Sequence, residues 1–369
     1  MKIGMIDTLV YSNDIEDYDE CCRELLDKLE ECKQQAKINL TENSVEKVLI
    51  KIGNMEFEVL PNGKKGYAYI LHNGFYEIDL AQYRSKNKNF NPMFVKIKSE
   101  ALWSRGAIQA FIELQCWTAK NIGVIVENKI TRIDLCCHID NFKLTDSDMN
   151  KFKGQYYTDT VYRYRRKINA MTFGSSATGK LYCRIYDKVL EIKQKKQKTW
   201  FYQVWKNEGL KEDQVWNIEF QIMRDFLKER NVSSVEETID YIPEIWKYCT
   251  EKFIVKHNND NKRVARCTIS TEWLEIQKTF EAVDYKEFIK REDQLQADAE
   301  ALIPSCYGYI TTFAARSGII NTELVLEKLK KAGNKYLKDK GKGFKEVVVK
   351  KRSLIEVKVP DIKTSKVLT

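Results

Sequence analysis

Three stretches decide the fold: TRIDLCCHID at residues 131–140, INAMTFGSSATGKLYCRIYDKVLEI at residues 168–192, and VWNIEFQI at residues 215–222. Apolar and polar residues alternate along each stretch, which predicts strands whose successive side chains point to opposite faces of a sheet. The loop GSSATGK, at residues 174–180, divides the second stretch and predicts a hairpin. Each of these strands therefore presents one polar face.

The sequence before these stretches predicts further strands. IGMIDTLVYS, at residues 3–12, predicts an opening strand. KVLIKIGNMEFEVL, at residues 47–60, predicts a hairpin that turns at Gly53–Asn54. GYAYILHNGFYEIDLA, at residues 66–81, predicts a second hairpin that turns at Asn73–Gly74, because Asn-Gly is a strong two-residue turn signal.

Helical periodicity marks the rest of the chain. Apolar residues recur at helical spacing in Tyr18–Ala36, in about Phe94–Lys120, and almost throughout Met223–Gly343, including YKEFIKREDQLQADAEAL at residues 285–302. KEVVVKKRSLIEVKV, at residues 345–359, predicts a short final strand. Runs of strands followed by runs of helices indicate an α+β fold. We expect a sheet domain at residues 1–225, a mainly helical region at residues 226–343 and a basic tail at residues 344–369.

Composition narrows the class of protein. With 369 residues, 43% apolar and 31% charged, the chain can bury a sizeable core, which excludes disordered and disulfide-scaffold classes. No run approaches the roughly 18 to 20 apolar residues of a membrane span. Acids occupy the place of a signal peptide's apolar stretch, so we expect a cytoplasmic protein without a membrane partner. The ten cysteines form no CxxC motif, which indicates reduced thiols rather than disulfides or zinc.

Positive charge is concentrated at two places in the chain. Residues 331–369 carry twelve Lys or Arg against four acids, which accounts for nearly all of the net charge of +9. VYRYRRKINAM, at residues 161–171, interleaves tyrosines with cations, a pattern that suits nucleic-acid phosphates and stacked bases. A solvated basic surface would look the same, so both interpretations stay open. The candidate DNA-contacting cations are Arg163, Arg165, Arg166, Lys167, Lys350, Lys351 and Arg352.

The polar faces of four predicted strands carry chemically active side chains. Residues of one parity on a strand share a surface. The polar sets are Arg132, Asp134, Cys136, His138 and Asp140; Arg184, Tyr186 and Lys188; Asn217, Glu219 and Gln221; and Glu77 and Asp79. Mg²⁺ or Mn²⁺ is the cofactor that such groups would hold, because it prefers oxygen ligands and Mn²⁺ accepts imidazole. The candidate metal ligands are Asp134, Glu219, Glu77 and His138.

Tyr186 is the candidate nucleophile of this polar face. A phenol, with a reference pKa of about 10, is a weak nucleophile at neutral pH. The adjacent cations Arg184 and Lys188, together with a metal-bound phosphate, would favour the phenolate. A sheet with a solvated polar face shows the same alternation, so a purely structural role stays open.

These motifs, in this order, resemble those of the trans-acting rolling-circle plasmid replication initiators and their relatives, the conjugative relaxases of integrative elements. The family pattern has an R-[IL]-D-L strand, a hairpin of the form [YF]-x-G-x-x-x-S-x-x-x-x-R-[IL]-Y-[ND]-K-x-x-E, and a later R-[IV]-E strand. The similarity covers roughly residues 66–225. The family tyrosine falls on Tyr186, its arginine on Arg184 and its lysine on Lys188.

The acidic residues of the family pattern also have counterparts here. The strand aspartate falls on Asp134, the later glutamate on Glu219, and an upstream glutamate on Glu77. Two positions depart from the pattern: His138 stands where the family often has a second aspartate, and Thr178 replaces the serine of the hairpin loop. These departures leave the nucleophile in place and change the ligand set.

The resemblance implies an antiparallel-sheet domain that nicks and rejoins DNA at a specific site on one strand, using a metal. Tyr186 would attack a phosphate in a single strand or hairpin, stay joined to its 5′ side and release a 3′-OH. The implied partners are double-stranded origin DNA, the single-stranded or hairpin nick site, a host helicase and a host polymerase, and a homodimer is allowed.

A replication initiator and a conjugative relaxase use this chemistry for different ends. The conjugative relatives often carry an N-terminal helix-turn-helix, and the sequence has no room for one before its first strands, which favours the initiator. A non-catalytic DNA-binding protein on the same fold is the third alternative, and it would not need the Arg184–Tyr186–Lys188 arrangement.

Overall fold

The computed structural model of the protein describes residues 1–44, 46–87, 90–281, 299 and 302–355. Within these residues the chain forms the following strands: β1 (Lys2–Ile15), β2 (Leu49–Ile52), β3 (Met55–Val59), β4 (Tyr69–His72), β5 (Tyr76–Leu80), β6 (Met93–Ile97), β7 (Ile125–Ile139), β8 (Phe152–Gly154), β9 (Asp159–Tyr164), β10 (Lys167–Gly174), β11 (Leu181–Asp187), β12 (Trp216–Met223) and β13 (Ile254–Lys256).

Helices lie between these strands and after them along the chain. Within the same described ranges they are α1 (Tyr18–Cys21), α2 (Arg23–Thr41), α3 (Ser99–Arg105), α4 (Ala107–Asn121), α5 (Lys188–Lys195), α6 (Phe201–Asn207), α7 (Arg224–Lys228), α8 (Val235–Asp240), α9 (Ile242–Tyr248), α10 (Thr271–Gln277), α11 (Ile303–Ser317), α12 (Thr322–Asp339) and α13 (Phe344–Ile355). None of these helices is both long enough and apolar enough to cross a membrane.

In the described part of the chain, eleven strands form one antiparallel sheet in the order β2-β3-β4-β5-β6-β1-β7-β12-β11-β10-β9, and β8 pairs with β13 separately. The long strands β1 and β7 lie side by side at its centre, and β12 and β11 follow on one side. The fold is therefore α+β around an antiparallel sheet, as the sequence predicted. The hairpins β2–β3 and β4–β5 also form where they were predicted.

The central strands are buried on both faces. Seven consecutive residues of β12, Trp216–Ile222, are all buried. On one face, Phe220 meets Trp246 of α9, with ring centroids 5.2 Å apart. On the other face, His138 of β7 packs against Trp103 of α3 and is covered by α6. The polar side of the sheet is thus covered in this part of the molecule, and its polar groups must find partners within the protein.

Two segment boundaries near the middle of the chain differ from expectation. Residues 93–97 form strand β6 rather than the start of a helix, because their alternating buried side chains pair with both β1 and β5. The second strand of the hairpin around residues 174–180 ends at Asp187, and α5 begins at Lys188. The Asp187 carboxylate accepts a hydrogen bond from the Leu190 amide at 2.8 Å, and this N-cap starts the helix.

The C-terminal part of the chain also differs in two places. The short strand β13 lies within the region that was predicted to be mainly helical. Residues 345–355, which belong to the strand predicted at residues 345–359, lie instead in α13, whose first turn is capped by a hydrogen bond from the Gly343 amide to the Glu346 carboxylate. Most of the helix predicted at residues 285–302, and residues 356–369 of the basic tail, lie outside the described residues.

Candidate active site

The register of strands β11, β12 and β7 brings the predicted site residues together. Arg184 lies directly opposite Glu219, and Tyr186 lies directly opposite Asn217. Asn217 is in turn paired with His138 on β7. Directly paired residues of a sheet share a face, so the parity prediction for β11 and β12 places its residues on one surface.

The Tyr186 hydroxyl is held by three polar groups. It donates a hydrogen bond to Glu219 Oε2 at 3.1 Å and accepts one from Asn217 Nδ2 at 2.9 Å. It accepts a second from Lys188 Nζ at 3.2 Å. The phenol oxygen is therefore fixed in position, with a carboxylate placed to take its proton and an ammonium placed to stabilise negative charge.

Lys188 carries a positive charge inside the protein. Its side chain is 2% exposed, and it forms an ion pair with Glu191 at 2.8 Å. Burial alone would lower the pKa of Lys188, but the carboxylates of Asp7, Glu191 and Glu219 outweigh burial and raise it. Although burial opposes it, pairing with Lys188 and Lys195 lowers the pKa of Glu191 to about 2. The ammonium beside Tyr186 therefore stays charged at neutral pH.

The cations beside Tyr186 were expected to favour the phenolate, but the pKa of Tyr186 is raised. Burial, followed by the negative charges of Glu219, Glu191 and Asp7, raises this pKa well above its ordinary value, and Arg184 offsets only part of the increase. The phenol is therefore neutral in the DNA-free protein. Attack on a phosphate requires removal of its proton during the reaction, and Glu219 is the acceptor in hydrogen-bond contact.

Two arginines face the surface beside these groups while their carboxylate partners are buried. Arg132 forms two hydrogen bonds to Asp134, at 2.7 and 2.5 Å, and Arg184 is paired with Glu219. The arginine side chains are 30% and 44% exposed, whereas Asp134 and Glu219 are 1% and 2% exposed. The outward guanidinium edges can therefore meet a phosphate, which arginine binds with two parallel hydrogen bonds.

Burial leaves the carboxyl group of Asp134 poorly stabilised as an anion. Burial and, to a smaller extent, the neighbouring charges of Glu219 and Asp7 raise the pKa of Asp134 to about 6, even though Arg132 acts in the opposite direction. The carboxylates of this face thus lie close enough to interact electrostatically.

Asp7 is a site residue that the sequence analysis missed. It occupies a bulge in β1 between Ile6 and Thr8, which pair with consecutive residues of β7. Its carboxylate lies 3.8 Å from Lys198 Nζ, and its Oδ1 atom is buried without a hydrogen-bond partner in the described part of the chain. The sequence signal that could have identified Asp7 was a single acid inside the apolar strand IGMIDTLVYS. The bulge changes the face of the strand on which the residues beyond it lie.

The expected metal ligands are not assembled into one site. Glu77 lies on β5, three strands from β7, or about 14 Å at the usual strand spacing, and it pairs with Lys64. His138 Nδ1 accepts a hydrogen bond from Trp205 Nε1 at 3.0 Å, and its ring stacks on Trp103. Burial, followed by the charge of Lys188, lowers the pKa of His138 well below its ordinary value, so it is a neutral core residue.

The remaining two candidate ligands lie on adjacent strands but are already occupied. Both carboxylate oxygens of Asp134 bond to Arg132, and those of Glu219 bond to Arg184, Tyr186 and Asn217. Across the described ranges, no group of three or more His, Cys, Asp or Glu residues could hold a metal ion. To bind a metal ion, Asp134 and Glu219 would have to exchange these hydrogen bonds with Arg132 and Arg184 for contacts to the ion. Their role as ligands stays a prediction.

The basic residues proposed for DNA contact lie mainly at the tip of the β9–β10 hairpin. Arg165, Arg166 and Lys167 are exposed there. Arg163 is also exposed but forms an ion pair with Asp146. Lys351 is exposed on α13, and the side chains of Lys350 and Arg352 lie outside the described residues. Their contacts with DNA stay predictions.

The fold is similar to that of a solved protein structure. The rolling-circle replication initiator protein from Geobacillus stearothermophilus resembles this chain, with 14% sequence identity and a TM-score of 0.47. The similarity covers 78% of this chain and all of that protein's chain. No family model matches the chain, and no curated protein matches it.

Proposed function

We propose that this protein is a site-specific, strand-specific DNA nicking and joining enzyme that initiates rolling-circle replication through Tyr186. The observation that carries the proposal is the simultaneous contact of the Tyr186 hydroxyl with a carboxylate, an amide and a buried ammonium. A tyrosine that served only to pack the sheet would need one hydrogen-bond partner for its hydroxyl, and not a carboxylate, an amide and an ammonium together. The motif resemblance at residues 131–222 supports the same assignment.

The proposed reaction is an exchange of one phosphate ester for another. The Tyr186 oxygen attacks a backbone phosphorus as its proton passes to Glu219, which lies 3.1 Å away. The new bond joins phosphorus to the tyrosine oxygen, the bond from phosphorus to O3′ breaks, and O3′ takes a proton from solvent, to which Glu219 returns the proton that it accepted. The charges of Lys188, Arg184 and Arg132 would stabilise the negative charge on the phosphate.

The ester product explains why joining needs no added energy source. A phosphotyrosyl bond conserves the energy of the original phosphodiester, so the reverse reaction restores the strand. In a replication initiator, the released 3′-OH would prime a host polymerase while a host helicase opens the duplex. A conjugative relaxase would use the same intermediate to carry the attached strand elsewhere.

The test is covalent capture of DNA by wild-type protein and by Tyr186→Phe. The substrate is a supercoiled plasmid that carries the DNA flanking the gene, and the product is mapped by protein digestion and mass spectrometry. We expect a 5′-phosphotyrosyl adduct on Tyr186 in the wild type and none in Tyr186→Phe, which keeps the ring and removes only the oxygen.

Tyr182 provides a matched control because it lies four residues earlier on the same strand, with the same parity and therefore on the same face. We expect Tyr182→Phe to form the adduct at the wild-type level. An adduct formed by Tyr186→Phe, or found on Tyr182 or Tyr164 in the wild type, would overturn the assignment. DNA binding by a folded wild type that never forms an adduct would instead favour a non-catalytic DNA-binding protein.

A further inference from the structure

The edge of the sheet next to Tyr186 carries two exposed tyrosines that the proposed chemistry does not use. Tyr162 on β9 pairs with Ala170 on β10, and Ala170 pairs with Tyr186 on β11. These three residues form one row across three strands, so their side chains share a face. Two strand spacings separate Tyr162 from Tyr186, which is about 10 Å.

The residue between the two tyrosines is small. Ala170 has only a methyl side chain, so it rises little above β10 in the row that joins Tyr162 to Tyr186. Tyr162 is 48% exposed, and Tyr164, two residues along the same strand, is 39% exposed. Residues two apart on a strand share a face, so both rings lie on the Tyr186 side of the sheet.

The cations of the hairpin complete this surface. The Arg165 guanidinium lies 5.3 Å from the centroid of the Tyr164 ring, and Arg166 and Lys167 are exposed beside it. Arg163 has the opposite parity from the tyrosines and is paired with Asp146. The Tyr186 side of the hairpin therefore combines aromatic rings with exposed positive charge, the two features that single-stranded nucleic acid requires.

The turn of the β9–β10 hairpin contains two residues whose backbone conformation is energetically unfavourable for a residue with a side chain. Arg165 and Arg166 have φ values of 49° and 68°, in the left-handed region where Gly and Asn are favoured. Two arginines in such a turn are strained, and strained backbone at a surface loop points to a function for the side chains.

We propose that Tyr162 and Tyr164 form a stacking platform for the bases of the single strand that enters the site. This inference rests on the proposed function, because it concerns the DNA held beside Tyr186. A distance of about 10 Å corresponds to about three nucleotides at 3.4 Å per stacked base, and to fewer in an unstacked strand. The platform thus holds bases within three nucleotides of the nick, while Arg165 and Arg166 contact the backbone.

The first experiment measures binding of a fluorescein-labelled 15-nucleotide oligo(dT) by anisotropy, as a function of salt. We expect Tyr162→Ala to weaken binding by about 5- to 160-fold, the range for loss of one stacked base, and Tyr162→Phe to stay within about twofold of wild type. The salt dependence should be unchanged in Tyr162→Ala and flatter in the double variant Arg165→Ala/Arg166→Ala.

Tyr157 supplies the control, because it is 101% exposed and lies outside the sheet. Tyr157→Ala should bind oligo(dT) as wild type does. Thermal unfolding of each variant checks that an affinity change is not a loss of folding. Equal affinities for wild type and Tyr162→Ala would overturn the platform, and so would an equal loss in Tyr162→Phe and Tyr162→Ala.

The second experiment locates the platform relative to the nick. Single abasic positions are placed along a nick-site oligonucleotide identified from the adduct mapping, and binding is measured with Tyr186→Phe to prevent cleavage. One abasic position within three nucleotides of the nick should weaken binding, and the same position should cause no further loss when Tyr162→Ala is added. Additive losses at every position would overturn the inference.

The two proposals fail in different ways. Oligo(dT) binding does not require the nucleophile, so the platform is supported or overturned whatever happens to adduct formation. If Tyr186→Phe still formed an adduct, the proposed function would fail while the Tyr162→Ala result kept its meaning. If instead Tyr162→Ala bound oligo(dT) normally and the adduct formed on Tyr186, only the platform would fail.

Discussion

At the scale of single residues, Glu219 and Tyr186 share the proton on which the proposed reaction depends. Glu219→Gln preserves the shape of the side chain but cannot accept that proton. We expect this variant to form the covalent adduct about 100- to 10,000-fold more slowly, the usual contribution of a general base. Rates are measured in single-turnover reactions with saturating protein, and DNA affinity should stay near that of the wild type. A rate within about threefold of wild type would show that Glu219 is not the base, because a general base contributes far more.

A requirement for Mg²⁺ or Mn²⁺ would also depend on single side chains, and it stays a prediction. We expect excess EDTA to abolish nicking while sparing most DNA binding, and Asp134→Ala to do the same, because these ions prefer carboxylate oxygens. Nicking of a supercoiled plasmid and anisotropy with the same DNA measure the two effects. Full cleavage in EDTA would contradict the requirement and leave the charges of Arg132, Arg184 and Lys188 to stabilise the phosphate.

The turn residues of the β9–β10 hairpin give a test in which stability and binding change in opposite directions. Arg166 has a φ of 68°, where a residue with a side chain loses roughly 1 kcal/mol relative to Gly. We expect Arg166→Gly to raise the free energy of unfolding by about that amount and to weaken DNA binding. Urea unfolding and anisotropy measure the two effects. A less stable variant would contradict the claim of strain.

Strand parity predicted part of the site from the sequence, and the remainder depended on contacts between distant segments. Arg184, Tyr186 and Glu219 were found because side chains alternate along a regular strand. Asp7 was missed because residues 3–12 were interpreted only as an apolar strand, and its place beside the site depends on a bulge that no local pattern shows. Glu77 was grouped with the others although its strand lies three places away, and strand order is not readable from local alternation.

At the scale of elements, the junction between β11 and α5 holds the positive charge beside the tyrosine. Lys188 is the first residue of the helix and Glu191 lies one turn later, so the ion pair is a local helical contact. Helix formation therefore places the ammonium beside Tyr186. The alternating pattern predicted a strand through residue 192, because Asp187 was not recognised as an N-cap.

This junction makes stability depend on pH. The pKa of Glu191 is lowered from 4.5 to about 2 in the folded protein. A carboxylate with a lowered folded-state pKa contributes stability that is fully present above its unfolded pKa and is lost as pH falls from about 4.5 toward about 2. We expect Glu191→Gln to be less stable than wild type at pH 7 by about 1 kcal/mol after allowance for solvent screening. The difference should shrink toward low pH. Urea unfolding at neutral and at acidic pH measures it, and a pH-independent difference would contradict the ion pair.

The terminal segment shows the limit of pattern-based prediction for short elements. KEVVVKK suggests a strand because three valines occur in a row. A strand needs a neighbour for its backbone hydrogen bonds, whereas a helix satisfies them within the segment. Residues 344–355 form α13, so the local bonds of a helix replaced the sheet pairing that the valines suggested.

At the scale of the whole molecule, the candidate DNA-binding cations lie in two separate segments of the chain. The hairpin cations lie beside the candidate active site, whereas the excess positive charge of residues 331–369 lies at the C-terminal end of the chain. Phosphate contacts supply affinity and position, whereas bases and DNA shape supply specificity. A basic segment that contacts only phosphates should therefore strengthen binding to every DNA sequence by a similar factor.

A chain that ends at Gly343 tests this division, because it removes α13 and the residues that follow. Seven Lys or Arg lie in residues 344–369, and removing each cation that binds a phosphate should lower the slope of log affinity against log salt by about 0.9 on duplex DNA. We expect a flatter slope and equal weakening on an origin hairpin and on a scrambled duplex. The measurement is a salt titration of both DNAs with intact and shortened protein, and thermal unfolding confirms that the shortened chain is folded. Superimposed slopes would mean that the tail faces solvent or binds a protein. Weaker binding to the origin hairpin alone would mean that the tail reads sequence and does not contact phosphates only.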